Sequence, residues 1–267
     1  MTGRLRVPGD KSISHRSIML GALAEGTTRV KGFLEGEDAL ATLAAFRAMG
    51  VDIDGPDHGE VTVHGVGLHG LRAPAQALDL GNAGTGMRLI CGLLAAQPFD
   101  TQLTGDASLC SRPMGRVIEP LTLMGARIEA REGGRPPLHI AGGRQLNAIH
   151  YNLPMASAQV KSCVLLAGLY CNGETSVTEP APTRDHTERM LESMGVKLHL
   201  AERRITMLGG QQPKACEFEI PSDLSSAAFL IVATIMSDAG ETKIRNVGVN
   251  PTRTGVIEIL RNMGGNI

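Results

Sequence analysis

Asp185-His186-Thr187-Glu188-Arg189-Met190-Leu191-Glu192-Ser193-Met194-Gly195-Val196-Lys197-Leu198-His199-Leu200 reads as a helix that stops and a strand that starts. The Gly directly after the last apolar helical residue suits a left-handed C-terminal cap. Beyond it, Val196, Leu198 and Leu200 alternate with polar residues, the period of a half-buried strand. The Met-Gly ending recurs at 49–50, 124–125 and 263–264, so the four copies are 75, 70 and 69 residues apart. Their lead-in helices are predicted over Glu37–Met49, Pro113–Met124, Asp185–Met194 and Gly255–Met263. The first three are followed by alternating strands starting near 51, 126 and 196.

A second kind of helix runs out of phase with the first: Ser14–Ala24, Thr85–Ala96, Ala158–Tyr170 and Ser225–Met236. These are apolar nearly all round with small residues interspersed, the composition of buried helices. A turn and a strand follow each, and the Gly-Glu-Thr copies at 173 and 240 lie 67 residues apart. One unit therefore reads helix, strand, helix, strand, then one or two more strands. That predicts an α/β protein of repeated units around buried helices, not a simple solenoid, whose periods are shorter. After Met194 there are further strand and turn residues over 204–220, but after Met263 only four residues remain. The fourth unit reads as unfinished, and the chain as a fragment or one half of a larger assembly.

Composition narrows the functions. The chain has 267 residues, 42% hydrophobic and 20% charged, which is globular composition. A net charge of -1, no Trp and only two Tyr exclude a bulk-basic nucleic-acid module or an aromatic stacking platform. The longest apolar run, 227–236, is too short to span a bilayer, and the start lacks an apolar signal segment. Five widely spaced Cys, without a Cys-x-x-Cys pair, read as free thiols of a cytoplasmic protein with no metal site.

The chemistry concentrates at helix starts. In Gly9-Asp10-Lys11-Ser12-Ile13-Ser14-His15-Arg16, Ser12 or Ser14 is expected to cap, and Lys11 and Arg16 place positive charge where the helix dipole is already positive. That arrangement is favourable when an anion sits there. Gly81-Asn82-Ala83-Gly84-Thr85-Gly86-Met87-Arg88 permits close backbone approach before another helix, but lacks the third Gly of a dinucleotide fingerprint. Arg112 precedes Pro113 at a third entrance. In Ala156-Ser157-Ala158-Gln159-Val160-Lys161-Ser162, Ser157 either only caps or binds an oxyanion together with Gln159; Lys161 points elsewhere on the helix. Arg112, Arg184 and Arg253 stand 12, 10 and 10 residues before their Met-Gly turns, suggesting a ring of cations. The alternative for Arg184 is a surface ion pair with Asp185. Asp10, Asp38, Asp106, Asp185 and Asp223 are loop acids that could balance these cations. His15 is expected to be structural.

Together, P-G-D-K-S-I-S-H-R at 8–16, G-N-A-G-T-G-M-R at 81–88, S-R-P-M at 111–114, A-S-A-Q-V-K-S at 156–162, P-T-R-D-H-T at 182–187, D-L-S-S-A-A-F at 223–229 and N-P-T-R-T-G at 250–255 resemble the 5-enolpyruvylshikimate-3-phosphate synthase family. The resemblance runs from Leu5 to Ile267. It implies the enolpyruvyl transferase fold, an inside-out α/β barrel of two domains built from βαβαββ units. One complete domain would span 10–222. Residues 1–9 and 223–267 would be part of a second, with Ser222 standing where the family commonly has Gly. The implied reaction transfers the enolpyruvyl group of phosphoenolpyruvate to the 5-hydroxyl of shikimate 3-phosphate, without metal or organic cofactor, on the route to aromatic amino acids.

The resemblance also implies roles. Lys11 would contact both substrates as the catalytic residue within this chain; Ser12 and Arg16 would meet the shikimate carboxylate and hydroxyls. Ser157, the Ala158 amide and Arg184 would hold the 3-phosphate, with Gln159 at the join. Asn82, Gly84, Thr85 and Arg112 would surround phosphoenolpyruvate, Gly84 being the position that governs glyphosate tolerance. The principal acid–base residues would lie beyond Ile267. The chain alone is thus expected to bind shikimate 3-phosphate weakly and not to turn over, unless complemented by a C-terminal fragment; the full-length protein is expected to be a monomer. UDP-N-acetylglucosamine enolpyruvyl transferase, which shares the fold, carries a reactive Cys in a Gly-rich loop and a Lys-Asn pair near its start; the start here is Lys-Ser-Ile-Ser-His-Arg. A non-catalytic anion-binding domain is the further alternative.

Overall fold

The computed structural model describes residues 3–237 and 240–267. Strand β1 (Gly3–Leu5) leads to α1 (Lys11–Leu23), β2 (Glu25–Lys31), α2 (Glu37–Ala48), β3 (Asp52–Asp57) and β4 (Glu60–Val66). Then come β5 (Leu78–Asp79), α3 (Gly84–Leu94), β6 (Thr101–Thr104), α4 (Ala107–Cys110), α5 (Gly115–Leu123), β7 (Arg127–Arg131) and β8 (Arg135–Ala141). A third series is β9 (His150–Asn152), α6 (Ala158–Gly168), β10 (Glu174–Thr178), α7 (His186–Ser193), β11 (Leu198–Ala201) and β12 (Arg204–Leu208). The described chain ends with β13 (Glu217–Glu219), α8 (Leu224–Ile235), β14 (Thr242–Ile244) and α9 (Gly255–Asn262).

The repeat is realised as three four-stranded sheets of one design, ordered β13-β2-β4-β3, β5-β6-β8-β7 and β9-β10-β12-β11. In each, the first strand pairs parallel with the second and the remaining pairings are antiparallel. The first sheet takes its lead strand, β13, from after the third unit, so the chain closes the trio upon itself. Strands of different sheets do not pair among the described residues, so the helices are enclosed by three separate sheets and not by a closed barrel.

The Met-Gly turns explain why the units stop alike. Gly50, Gly125, Gly195 and Gly264 have φ of 85°, 99°, 84° and 93°, a region a side chain makes costly. The residue after each Gly donates to a carbonyl one turn back: Val51 to Phe46, Ala126 to Leu121, Val196 to Leu191 and Gly265 to Leu260. These are Schellman caps. The carbonyls of Met49, Met124 and Met194 then accept the amides of Arg72, Asn147 and Lys214 after the respective hairpins. Those three Met side chains are buried, whereas Met263 is exposed.

Helices α1, α3 and α6 are buried along nearly their whole length. Small residues permit this: a Cβ on Gly92 of α3 would stand 2.3 Å from the Cys163 carbonyl oxygen of α6. The fourth apolar helix differs, as α8 buries only Leu224 and Ala227. One boundary also differs from expectation. The helix predicted over 113–124 starts at Gly115, and Asp106 instead caps a separate turn, α4, whose end carries Arg112.

The chain enters and leaves the three-sheet body at one place, where Gly9 bridges Ser222 and β1 runs parallel to β14. Ser222 is fully buried, its hydroxyl 2.9 Å from the Val7 carbonyl oxygen and 3.2 Å from that of Arg245. Ser222 is thus a polar tie between the two crossing segments. No helix among the described residues is long and apolar enough to cross a membrane.

Candidate functional site

The anion-inviting helix starts converge on one face. At α1, the cap is Asp10, whose Oδ1 accepts the Ile13 amide at 2.9 Å, and not Ser12 or Ser14. Ser14 turns inward and accepts the Leu34 amide instead. That leaves the Ser12 hydroxyl to accept from Arg184 Nη1 at 3.3 Å. Lys11 is exposed and its Nζ lies 2.9 Å from Asp38 Oδ2. Arg16 is buried at 3% exposure, with Nε donating to Thr187 Oγ1, Nη1 to the Ser12 carbonyl and Nη2 to Ser162 Oγ. It stands beneath the site and braces α1 against α6 and α7. Burial, more than its charged neighbours, lowers its pKa to about 10. His15 is buried with Nδ1 2.8 Å from Thr42 Oγ1, a core residue as expected.

Around α6, a cleft of about 360 Å³ is lined by Ala156, Ser157, Ala158, Gln159, Thr183, Arg184 and Thr252, among others. Ser157 caps the helix by accepting the Val160 amide at 3.3 Å, and its own proton remains to be donated. The Ala158 and Gln159 amides belong to the first turn, where no intrahelical acceptor exists. One hydroxyl, two free amides and a guanidinium therefore face one space. Arg184 does not pair with Asp185, whose carboxylate takes Arg189 Nε and Asn250 Nδ2, each at 2.7 Å.

The α3 entrance adjoins this cleft through Gln159, whose Nε2 donates to Thr85 Oγ1 at 2.8 Å while its Oε1 accepts Arg88 Nη1 at 3.0 Å. Helix α3 has no side-chain cap and no acid in its first turn. Arg112 donates to Asn82 Oδ1 and, at 3.1 Å, to Ser108 Oγ. Asn82 in turn donates to Asp106 Oδ2 at 2.8 Å. The Leu109 amide, before this Asn82 bond, holds the Asp106 carboxyl below its usual range. A Cβ on Gly84 would meet Arg112 Nη1 at 3.0 Å and Arg88 Nη1 at 3.2 Å, so both guanidiniums close over the helix start.

Arg88, Thr183 and Thr252 were given no site role from sequence, whereas Asp38, expected to balance a cation, pairs with Lys11. Arg88 had a usable signal: it follows Gly84 by four residues, as Arg16 follows Ser12, and such a side chain leans back over the helix start. Thr183 adjoins Arg184 in the chain, and Thr252 is brought to the cleft by the fold. Nor do Arg112, Arg184 and Arg253 form a ring of like cations. Arg253 lies 3.2 Å from Asp10 Oδ2 and 3.4 Å from Asp223 Oδ1, the caps of α1 and α8, and is neutralised. Arg112 and Arg184 have no carboxylate within ion-pair distance among the described residues.

The electrostatics favour anions. Burial first, and then Arg112, lowers the Arg88 pKa; burial and then Arg253 does the same for Arg184. Guanidiniums held against one another at helix starts are relieved by a bound phosphate or carboxylate.

The chain matches the family described as EPSP synthase (3-phosphoshikimate 1-carboxyvinyltransferase) over residues 1–267. It is 64% identical over 267 residues to a 3-phosphoshikimate 1-carboxyvinyltransferase of Alkalilimnicola ehrlichii, covering 100% of this chain and 60% of that protein. It is 61% identical to that of Methylococcus capsulatus, again over 100% of this chain and 61% of the relative. The solved structure of EPSP synthase from Acinetobacter baumannii superposes with a TM-score of 0.93 at 61% identity, over 98% of this chain and 59% of that one. The chain thus spans about 60% of the length of the curated relatives it matches. On fold, motif order and these likenesses, the chain belongs to the EPSP synthase (3-phosphoshikimate 1-carboxyvinyltransferase) family.

Proposed function

We propose that this chain supplies the shikimate 3-phosphate side, and part of the phosphoenolpyruvate side, of the enolpyruvyl transfer carried out by the full-length proteins. The observation that carries the reading is the pair of adjoining anion-inviting helix starts joined by Gln159. Two anionic substrates must meet for this reaction, and two such sites share one amide side chain here.

In this reading the 3-phosphate takes the Ser157 hydroxyl, the Ala158 amide and the Arg184 guanidinium. Lys11, exposed at the α1 start, and Ser12 reach the shikimate ring; Arg16 holds their helix in place from below. Phosphoenolpyruvate lies against Asn82, the Gly84–Thr85 helix start and Arg112, with Arg88 as an added cation. Gln159 already donates one Nε2 proton to Thr85, and its second is available at the junction. Fixed donors of this kind hold the reactants together and stabilise charge that develops on the departing phosphate. Residues 10–222 form the unit that carries these groups, and 1–9 with 223–267 form part of a second, the polar tie at Ser222 standing where they meet.

The test is complementation. The chain is mixed with a separately expressed polypeptide covering the remainder of the Alkalilimnicola ehrlichii relative. Phosphate release should need both polypeptides and both substrates, and Arg112→Ala should abolish it. No release from a mixture in which both polypeptides are folded would overturn the reading.

A further inference from the structure

A knot of buried charge lies next to the phosphate cleft and takes no part in the roles above. Lys161, Glu179 and Glu188 are exposed by only 1%, 6% and 2%. Lys161 Nζ stands 3.1 Å from Glu179 Oε2 and 2.6 Å from Glu188 Oε1. Burying three charges is expensive, and apolar residues of similar size often serve stability as well or better.

Its connections to the cleft are specific. Lys161 sits on α6 two residues after Gln159 and points into the body, away from the ligand side. Glu179 follows β10, and its second oxygen, Oε1, accepts the hydroxyl of Thr183. Thr183 and Arg184 both line the cleft. The same segment is tied at its start, where the Glu179 amide donates to the Arg203 carbonyl at 2.9 Å and Arg203 Nη1 donates to the Pro180 carbonyl at 2.7 Å. Between Pro180 and Arg184 the tether is the Thr183–Glu179 bond, and Lys161 fixes the far side of that carboxylate. Among the described residues the Arg184 side chain makes only a long 3.3 Å bond, to Ser12 Oγ. A hydrogen bond to a carboxylate is stronger than a neutral one, and Lys161 Nζ, 3.1 Å from Oε2, holds the other oxygen of Glu179 in place.

We propose that Lys161, Glu179 and Thr183 are positioning residues that hold the Arg184 guanidinium over the start of α6 for a phosphate-bearing ligand. This rests on the cleft reading given under the proposed function. Thr183 is the site for the test, because Thr183→Val removes the donor without disturbing the buried charges.

Two measurements decide the matter. Amide hydrogen exchange over 181–185 in the ligand-free chain should rise about tenfold in Thr183→Val, in keeping with one lost charge-assisted bond, and return in Thr183→Ser. Calorimetric titration with shikimate 3-phosphate should show an affinity loss of about tenfold for Thr183→Val. The loss should be under about twofold once Arg184→Ala is already present. Unchanged exchange overturns the tether. Equal affinity losses in both backgrounds overturn action through Arg184, since Thr183 would then touch the ligand itself. A folded native chain that fails to bind shikimate 3-phosphate overturns the cleft reading and the ligand half of this proposal, while exchange still decides the tether.

Discussion

Replacing Lys161 by Met tests how the buried charges are kept. Met fills much the same volume but leaves two carboxylates, 6% and 2% exposed, without the ammonium that lies 3.1 Å and 2.6 Å from them. Removing one partner of a buried ion pair costs about 3–5 kcal/mol, a large part of a domain's total of about 5–15 kcal/mol. The penalty should depend on pH in a stated direction. Burial already raises the Glu188 pKa against the opposing pull of Lys161, and without that pull it rises further. A carboxyl with a raised folded-state pKa binds more protons folded than unfolded, so its contribution to stability falls as pH rises. The difference between native and Lys161→Met chains, read from urea unfolding, should therefore be largest near pH 8 and shrink towards pH 5. With a slope of about 3 kcal/mol per molar urea, the midpoint at pH 8 should fall by about 1 M or more. Lys161→Met with Glu179→Gln and Glu188→Gln should recover much of the loss. A change under about 1 kcal/mol, or the same change at both pH values, would refute the reasoning.

Gly84→Ala should leave the unfolding midpoint nearly unchanged, because the atoms its Cβ would meet at 3.0 and 3.2 Å are the mobile ends of Arg112 and Arg88. Titration should show phosphoenolpyruvate binding weakened about tenfold as those heads retreat, with shikimate 3-phosphate affinity retained. For the thiols, a colorimetric reagent should find Cys110 and Cys216 reactive in the native chain and all five Cys reactive in denaturant. Cys91, Cys163 and Cys171 are buried, and burial pushes the Cys91 thiol up to about 12.

The repeat was legible because its signal is local. A Met-Gly turn needs only its own residues to stop a helix, and four copies at near-equal spacing declare the unit. The apolar helices at 14–24, 85–96 and 158–170 were legible as buried for the same reason. The fourth, 225–236, has the same composition yet is only partly buried, because burial depends on what packs against a helix. Sequence placed the charges at the helix starts and named Asp10, Asp38 and Asp223 among the acids that could balance them, but not which acid meets which cation. Arg253 looked equivalent to Arg112 and Arg184 by position, and only the fold brings Asp10 and Asp223 against it. Ser12 looked like a cap because hydroxyls usually are, but Asp10, two residues earlier, holds the Ile13 amide and leaves Ser12 to Arg184. Nor did sequence show that Arg16 is buried, with donors that reach residues more than 140 positions away.

The most direct measurement is calorimetric titration of the folded 267-residue chain with shikimate 3-phosphate, with and without phosphoenolpyruvate, for the native protein and Arg184→Ala. The account expects saturable binding at one site per chain, weakened about tenfold or more by Arg184→Ala. A folded chain that gives no saturable heat, or one whose binding ignores Arg184, would contradict it.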